Sequence, residues 1–210
     1  MLNDYRTLHL HMIYTVHDIH DIYLQFQIFF TVKFKMPVET LFSSDLISSE
    51  VQAALPKGHT IRPLSSEDYE KGFLDVLTVL TTVGDMSKAQ FLERFYYLKA
   101  HNHEYFTLVI VSPEDRIIGA GTIFIERKFI HNNGLVGHIE DIAVDKNQQG
   151  KKLGLRIIQA LKHIGAKTGC YKVILDCSEE NVPFYEKCGF TRKEHEMVWY
   201  IPDDISKAKL

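Results

Sequence analysis

Two neighbouring carboxylates, Glu140 and Asp141, lie inside an apolar segment, residues 138–144, that is typical of a strand. A carboxylate in such a place can accept a proton from an amine, directly or through water. Tyr185 offers the complementary group, because a phenol can donate a hydrogen bond to a departing anion. These residue types are able to accept and to donate a proton in acid–base chemistry. The alternatives are a solvated or salt-bridged acidic pair and a tyrosine that only packs.

A turn at residues 148–154 carries two glycines and two lysines and opens a strongly amphipathic helix predicted over residues 152–168. Glycine lets the backbone approach a ligand closely, and the first turn of a helix has free N–H groups. Together these features predict an anion site suited to a pyrophosphate, to which Lys151 and Lys152 add positive charge. Simple helix capping is the alternative. The spacing matches neither a Walker sequence nor a Rossmann fingerprint.

The elements that must position these residues alternate along the chain. Strands are predicted at residues 60–64, 106–111, 117–126, 138–144, 171–177 and 190–201, and helices at residues 65–80, 87–100, 152–168 and 183–189. Residues 106–126 read as an antiparallel hairpin, and residues 138–177 as a right-handed βαβ crossover with parallel outer strands. Gly119 and Gly121 predict a bulge or a close backbone approach within their strand. Asn181 is expected to cap the last helix.

The composition bounds the class of protein. With 210 residues and a net charge of −3, the chain is an ordinary globular protein, and attraction to nucleic acid through bulk positive charge is disfavoured. We expect a poorly structured N-terminal extension at residues 1–35, an approach segment at residues 36–58 and one domain at residues 59–210. A targeting or metal-binding leader is the alternative for the extension, and Met36 is a candidate start.

The cysteines and the hydropathy pattern bear on the compartment. No apolar run approaches the roughly 20 residues of a membrane span. The three cysteines, Cys170, Cys177 and Cys188, form no C-x-x-C pair, which disfavours a disulfide scaffold or a zinc cage. We expect small buried side chains at these positions and a reducing, cytoplasmic location, with peripheral association with endomembranes as an alternative.

The ordered motifs resemble the GNAT acetyltransferase superfamily. Its acyl-CoA signature, Gln/Arg-x-x-Gly-x-Gly/Ala, aligns with Gln149-Gly150-Lys151-Lys152-Leu153-Gly154, where Lys152 replaces the middle glycine. The resemblance narrows to the eukaryotic glucosamine 6-phosphate N-acetyltransferases over about residues 59–200. The blocks that carry it are residues 80–84, 126–131, 137–144, 169–177 and 181–190.

The resemblance implies an α+β chain, the GNAT acyl-CoA N-acyltransferase fold, with a splayed mixed central sheet flanked by helices. It implies direct transfer of the acetyl group of acetyl-CoA to the 2-amino group of D-glucosamine 6-phosphate, in UDP-N-acetylglucosamine biosynthesis and without a metal. It also implies a homodimer whose sugar site is shared between the subunits. No part for nucleic acid is expected.

The site residues follow from the same resemblance. Those expected to bind acetyl-CoA are Ile142, Ala143, Val144, Gln149, Gly150, Lys151, Lys152, Leu153, Gly154, Asn181 and Tyr185. Those expected to bind the sugar phosphate are Thr81, Lys128, Phe129, Ile130, His131, Glu140, Asp141, Lys172 and Asp176. A bulge at residues 140–144 would open the sheet for the thioester, and backbone N–H groups there would form an oxyanion hole.

Roles within the site remain open at two points. Glu140 is the preferred proton acceptor or amine orienter and Asp141 a substrate-positioning group, since adjacent strand residues point to opposite faces; Tyr185 is the candidate acid. Tyr200 stands where the family usually has a phosphate-binding arginine, and Arg192 is a candidate replacement. A different amine acceptor, such as a protein or polyamine, and a non-catalytic acetyl-CoA sensor are the alternative functions. A cysteine acyl-enzyme is disfavoured.

Overall fold

The computed structural model describes residues 38–202 of the chain. The predicted extension at residues 1–35 and the candidate start at Met36 lie outside the described residues. One five-stranded sheet forms within the described part, in the order β1 (Thr60–Pro63), β2 (Tyr105–Val111), β3 (Ile117–Arg127), β4 (Leu135–Val144) and β5 (Cys170–Ile174). The helices are α1 (Ser49–Ala53), α2 (Phe73–Leu77), α3 (Lys88–Ala100), α4 (Leu153–Lys167) and α5 (Val182–Lys187). Short 3₁₀ turns lie at Ser44–Leu46, Lys146–Gln148 and Glu179–Asn181, and a kinked turn lies at Ile130–Asn133.

The sheet is mixed, as predicted. Strands β1 to β4 pair antiparallel in sequence, and β5 joins β4 in parallel after the α4 crossover. The hairpin of β2 and β3 and the βαβ unit are therefore confirmed. This arrangement places the end of β4, the start of α4 and the end of β5 in one region of the fold, where the chemistry-bearing residues of the sequence are concentrated.

Helix α4 covers one face of the sheet with its apolar stripe. Ile157, Leu161 and Ile164 recur at helical spacing and are fully buried, as is Ile123 of the sheet. Each such side chain contributes about 1.5–3 kcal/mol through burial. The predicted approach segment takes part in the same core, because Leu41 is fully buried and its N–H donates to the Leu64 carbonyl at 2.9 Å.

The predicted helix at residues 65–80 is much shorter in the structure, where only α2 forms. Gly72 has φ +87°, a left-handed backbone that interrupts the helix before Phe73. Asp68 is fully buried. Its carboxylate accepts hydrogen bonds from the Arg62 guanidinium at 2.7 Å and from the Ser65 N–H at 2.7 Å. These contacts hold residues 65–68 in a turn rather than in the first turn of a helix.

The predicted strand at residues 190–201 is also wrong for the isolated chain. Residues 191–202 are described without any strand, and Met197, Trp199 and Tyr200 are 92%, 76% and 83% exposed. A strand needs a neighbour for its backbone N–H and C=O groups, and the described sheet of this chain supplies none here. An apolar segment thus lies uncovered at the end of the domain.

Two smaller expectations also fail. Asn181 makes no side-chain cap for α5; its amide donates to the Ser178 hydroxyl at 3.1 Å instead. Cys177 lies beyond β5 and is exposed, whereas Cys188 is buried and Cys170 half-buried, so the expected buried role holds for Cys188.

Candidate active site

The site is built on a bulge in β4. Ala143 pairs with Ala120 and Glu140 pairs with Thr122, so two β4 residues, Asp141 and Ile142, stand opposite the single residue Gly121. Asp141 has φ +54°, which redirects the strand. The bulge expected from the family resemblance is therefore confirmed.

Gly121 is required beneath this bulge. A Cβ at this position would lie 2.6 Å from Ile157 Cγ2 and 2.7 Å from Ile142 Cδ1, which is closer than side-chain carbons approach. The close backbone approach predicted from the strand glycines is thus found at Gly121. Because Gly121 has no side chain, α4 packs directly against β3 opposite the bulge in β4, and this contact fixes the bulge relative to α4.

The sheet opens on the β5 side of β4 after His138, and the bulge lies within the opening. Pairing between β4 and β5 runs from Leu135 with Cys170 to His138 with Ile174 and stops there, although β4 continues to Val144. Within residues 38–202, the β5 side of β4 past His138 therefore has no partner strand. Backbone groups of Ile142, Ala143 and Val144 lie along this open edge. The geometry is a splayed pair of parallel strands with free hydrogen-bonding groups on one wall.

The turn before α4 has the backbone of an anion site. Gly150 has φ +81° and Lys152 has φ +60°, and no described side chain caps the helix. Lys152 thus adopts the left-handed conformation that glycine takes readily, which explains how the glycine signature can tolerate a lysine here. Gln149, Gly150, Lys151 and Lys152 are exposed, while Leu153 is buried and anchors the helix start. A Cβ on Gly154 would lie 3.3 Å from Phe184 Cζ, which places α5 beside this turn.

Negative charges gather around Glu140. Burial raises the pKa of its carboxyl above the ordinary value, and the charges of Asp141 and Asp176 raise it further, with His138 opposing. Asp176 follows β5, so its effect on Glu140 acts across the opening between the strands. The expectation that Glu140 and Asp141 point to opposite faces assumes a regular strand, and the left-handed backbone at Asp141 removes that regularity. The arrangement makes Glu140 a stronger proton acceptor than a solvated glutamate.

Tyr185 lies on α5, half-buried between two aromatic rings. Its ring centroid is 5.0 Å from that of Phe184 and 6.2 Å from that of Phe190. Burial raises the pKa of its phenol, and the neighbouring Cys177 and Cys188 add to this rise, so the hydroxyl stays protonated at neutral pH. Among residues 38–202 that hydroxyl has no hydrogen-bond partner. It can therefore donate to a bound group.

Two of the predicted sugar-phosphate cations meet on Tyr171. The His131 ring centroid lies 4.4 Å from that of Tyr171, and Lys172 Nζ lies 5.9 Å from the same ring. His131, Asn132 and Asn133 all have positive φ, so the turn after β3 folds back tightly onto β5. Phe129 and Ile130, in the same turn, are 97% and 61% exposed.

Two other cations are ion-paired. Lys128 Nζ donates to Glu126 Oε1 at 2.7 Å, and the guanidinium of Arg192 is paired with Glu179, with Nη1 to Oε2 at 2.8 Å. Arg192 is thereby held on the segment after β5. The hydrogen bonds from Lys128 and His138 lower the pKa of the Glu126 carboxyl.

Two residues with predicted or family-typical roles in sugar-phosphate binding, Thr81 and Tyr200, make no described contact with the other predicted site residues. Thr81 is exposed in the irregular stretch between α2 and α3, and Tyr200 lies in the uncovered C-terminal segment. Three residues with contacts in the site had no predicted role: Glu126, His138 and Tyr171. The register of β3 on β4, which sequence alone does not supply, was needed to see that Glu126 and His138 meet.

Metal binding and membrane insertion both find little support in the described residues. Residues 38–202 contain no group of three or more His, Cys, Asp or Glu side chains arranged to hold a metal ion. The helices in this range are too short or too polar for any of them to cross a bilayer.

The chain is similar to a defined set of proteins. Residues 68–190 match the model of the acetyltransferase (GNAT) family. A Dictyostelium discoideum glucosamine 6-phosphate N-acetyltransferase 1 is 51% identical over 146 residues, which are 69% of this chain and 92% of that protein. The Candida albicans glucosamine 6-phosphate N-acetyltransferase is 46% identical over 69% of this chain and 97% of its own length.

Solved structures of acetyltransferases are similar to this chain in sequence and in fold. The crystal structure of glucosamine-6-phosphate N-acetyltransferase from Arabidopsis thaliana is 39% identical, covers 69% of this chain and 99% of its own, and superposes with a TM-score of 0.67. A Trypanosoma brucei acetyltransferase is 35% identical over 68% of this chain and 99% of its own, with a TM-score of 0.63. The chain belongs to the GNAT family of acetyltransferases and, within it, to the glucosamine 6-phosphate N-acetyltransferases.

Proposed function

We propose that this protein transfers the acetyl group of acetyl-CoA to the 2-amino group of D-glucosamine 6-phosphate, giving N-acetyl-D-glucosamine 6-phosphate and CoA. The product is a precursor for UDP-N-acetylglucosamine in amino sugar metabolism. The observation that carries the proposal is the opening between β4 and β5 beyond His138, with Glu140 at its edge and the free start of α4 beside it.

Acetyl-CoA would occupy that opening. The free N–H groups at the start of α4 and residues Gln149 to Gly154 are suited to the pyrophosphate. The backbone of Ile142, Ala143 and Val144 would hold the pantetheine as an added strand would, and N–H groups there would stabilise the oxyanion that forms on the thioester carbonyl. Asn181 and Tyr185 would contact acetyl-CoA on the side of the opening opposite β4.

The transfer then needs one proton acceptor and one donor. Glu140 takes a proton from the substrate ammonium, directly or through water, and its raised pKa favours this step. The amine lone pair forms the C–N bond at the thioester carbon, the tetrahedral oxyanion collapses and the C–S bond breaks. Tyr185 donates its proton to the departing thiolate. The second ammonium proton, lost as the amide forms, restores the Tyr185 hydroxyl, and Glu140 releases its proton to solvent, so the enzyme returns to its starting state and no acyl-enzyme is formed.

The sugar phosphate would lie between the turn after β3 and the end of β5. Lys128 and Lys172 would supply positive charge for the phosphate, His131 would donate a hydrogen bond to it, and Phe129 and Ile130 would supply exposed apolar surface. Asp141 and Asp176 would accept hydrogen bonds from the sugar hydroxyls, and the Thr81 hydroxyl would donate or accept one.

The active form would be a homodimer whose sugar site is shared between subunits. The exposed apolar segment of residues 197–201 supports this, since burying it against a second copy removes a large apolar area from water. Tyr200 would then approach the partner's sugar site. The three cysteines are all free, which fits a cytoplasmic location, whereas association with endomembranes rests on the resemblance alone.

A coupled thiol-release assay tests the function. We expect turnover with acetyl-CoA and glucosamine 6-phosphate and a much lower kcat/KM with glucosamine, because the cations above would lose the phosphate. Equal kcat/KM on the two sugars would remove the phosphate-recognition claim. Acetyl-CoA binding in calorimetry without turnover on any amine would instead indicate a sensor, and turnover only on a polyamine or peptide amine would indicate a different acceptor.

A further inference from the structure

Glu126 connects a lysine and a histidine side chain at the edge of the site. Its Oε1 accepts a hydrogen bond from Lys128 Nζ at 2.7 Å, and its Oε2 lies 2.9 Å from His138 Nε2. Both carboxylate oxygens are therefore used, one toward the turn after β3 and one toward β4. The ion pairs are half-buried, with side-chain exposures of 29% for Lys128, 37% for Glu126 and 28% for His138.

The sheet register places this cluster next to the proposed proton acceptor. Phe124 pairs with His138 and Thr122 pairs with Glu140, so Glu126 and Phe124 share one face of β3. His138 and Glu140 are two residues apart on β4 and share the same face by the same rule. The Phe124 and His138 rings lie 6.0 Å apart, which fixes the imidazole on its free side. The cluster thus forms a row that leads from Lys128 to Glu140.

We propose that Glu126 is a positioning residue of the acetyl transfer, which holds Lys128 and His138 at fixed places beside Glu140 and so sets where the substrate phosphate binds relative to the amine. The inference rests on the proposed function. An ammonium has three N–H donors, and Glu126 uses one of those on Lys128. The other two N–H groups of Lys128 point away from that bond and would donate to the substrate phosphate.

A residue that holds Lys128 in place before the substrate binds lowers the entropy cost of binding. A free lysine on a flexible four-carbon stem samples many positions, and fixing it costs side-chain entropy each time a ligand binds. A carboxylate that already holds the ammonium removes most of that cost before the substrate arrives. The phosphate and the 2-amino group belong to one molecule, so a fixed phosphate site strengthens binding of the sugar whose amine lies beside Glu140.

The test compares E126Q with the wild type in the thiol-release assay. The glutamine side chain keeps the size of the glutamate but loses the charge and cannot accept a hydrogen bond at both ends. We expect the KM for glucosamine 6-phosphate to rise about tenfold, the loss of one charge-assisted contact, with kcat within about threefold and the KM for acetyl-CoA unchanged. The preference for glucosamine 6-phosphate over glucosamine should fall by a similar factor. E126D, which keeps the charge, should recover part of both effects.

The matched control is E70Q, which removes the exposed ion pair of Glu70 with Lys88 at 2.9 Å on another part of the surface. It should leave both KM values and the sugar preference unchanged. A lower KM in E126Q would overturn the proposal, because Glu126 would then compete with the phosphate for Lys128. Equal losses on both sugars, or no rescue by E126D, would also overturn it by indicating a purely structural role. A wild-type protein inactive on both sugars would refute the proposed function itself.

Discussion

The surroundings of Glu140 set the pKa of its carboxyl group. Burial is the main cause of its raised pKa, and the charge of Asp141 is the next. A base works only when ionised, so turnover should rise as pH increases through this pKa. Removing the negative charge of Asp141 lowers the pKa of Glu140 toward its ordinary value. The acidic limb of the kcat profile should therefore move to lower pH in D141N.

The profile is measured from about pH 4 to 8 with both substrates saturating. Asn tolerates the left-handed backbone at residue 141, so the bulge should persist in the variant. The control is D115N, because Asp115 has φ +57° in the β2–β3 turn, away from the site. An acidic limb that stays in place in D141N would mean that Glu140 is not the titrating base.

Tyr185 gives the second prediction at this scale. Y185F keeps the ring contacts with Phe184 and Phe190 but removes the only proton that the side chain can donate. We expect kcat to fall about 100-fold, with the KM for acetyl-CoA nearly unchanged. Steady-state kinetics at saturating sugar phosphate measure both constants. Unchanged turnover would remove the acid role and leave Tyr185 as a packing residue.

At the scale of elements, the site depends on the contact between β3 and α4. G121A would place a methyl group 2.6 Å from Ile157 Cγ2, whose side chain is fully buried and cannot yield freely. We expect a loss of about 1–3 kcal/mol in the free energy of unfolding, the usual cost of overpacking, and weaker binding of acetyl-CoA as the bulge shifts. Urea unfolding and calorimetry measure the two effects.

The matched control for G121A lies two residues away on the same strand. G119A meets Ile157 Cδ1 at 3.1 Å, a contact that is relieved by a shift of a few tenths of an ångström, whereas the methyl group of G121A also lies 2.7 Å from Ile142 Cδ1. It should cost clearly less stability than G121A. If the two variants are equally stable, the close approach at Gly121 does not determine the bulge.

The elements themselves were predictable where the pattern is local. The apolar stripe of α4 predicts residues 152–168 and the structure has Leu153–Lys167, because burial on one face repeats at helical spacing. The helix expected at residues 65–80 failed because helical periodicity does not report how a polar side chain is used. Arg62, six residues before Asp68 and on β1, holds the Asp68 carboxylate in the core, and Gly72 has a left-handed backbone.

At the scale of the whole molecule, the candidate carboxylates Glu140 and Asp141 and the turn at residues 148–154 were visible in the sequence because each lies within one short motif. The Glu126–His138 contact was not, since it joins residues twelve apart across the pairing of β3 with β4. The fate of residues 191–202 was not either. The apolar run at residues 197–201 indicates a strand, but a strand exists only where another backbone pairs with it.

The last prediction concerns that segment. Trp199 is 76% exposed in the isolated chain, so replacing it should disturb the fold of one subunit very little. In the proposed homodimer the same side chain becomes buried, and a charge there is costly. W199D should therefore remain folded but dissociate into monomers in sedimentation velocity, with at least a roughly tenfold loss in kcat/KM for glucosamine 6-phosphate. V38D, at a residue 53% exposed, is the control and should remain dimeric. A W199D protein that stays dimeric and fully active would show that residues 197–201 belong neither to the dimer interface nor to the sugar site.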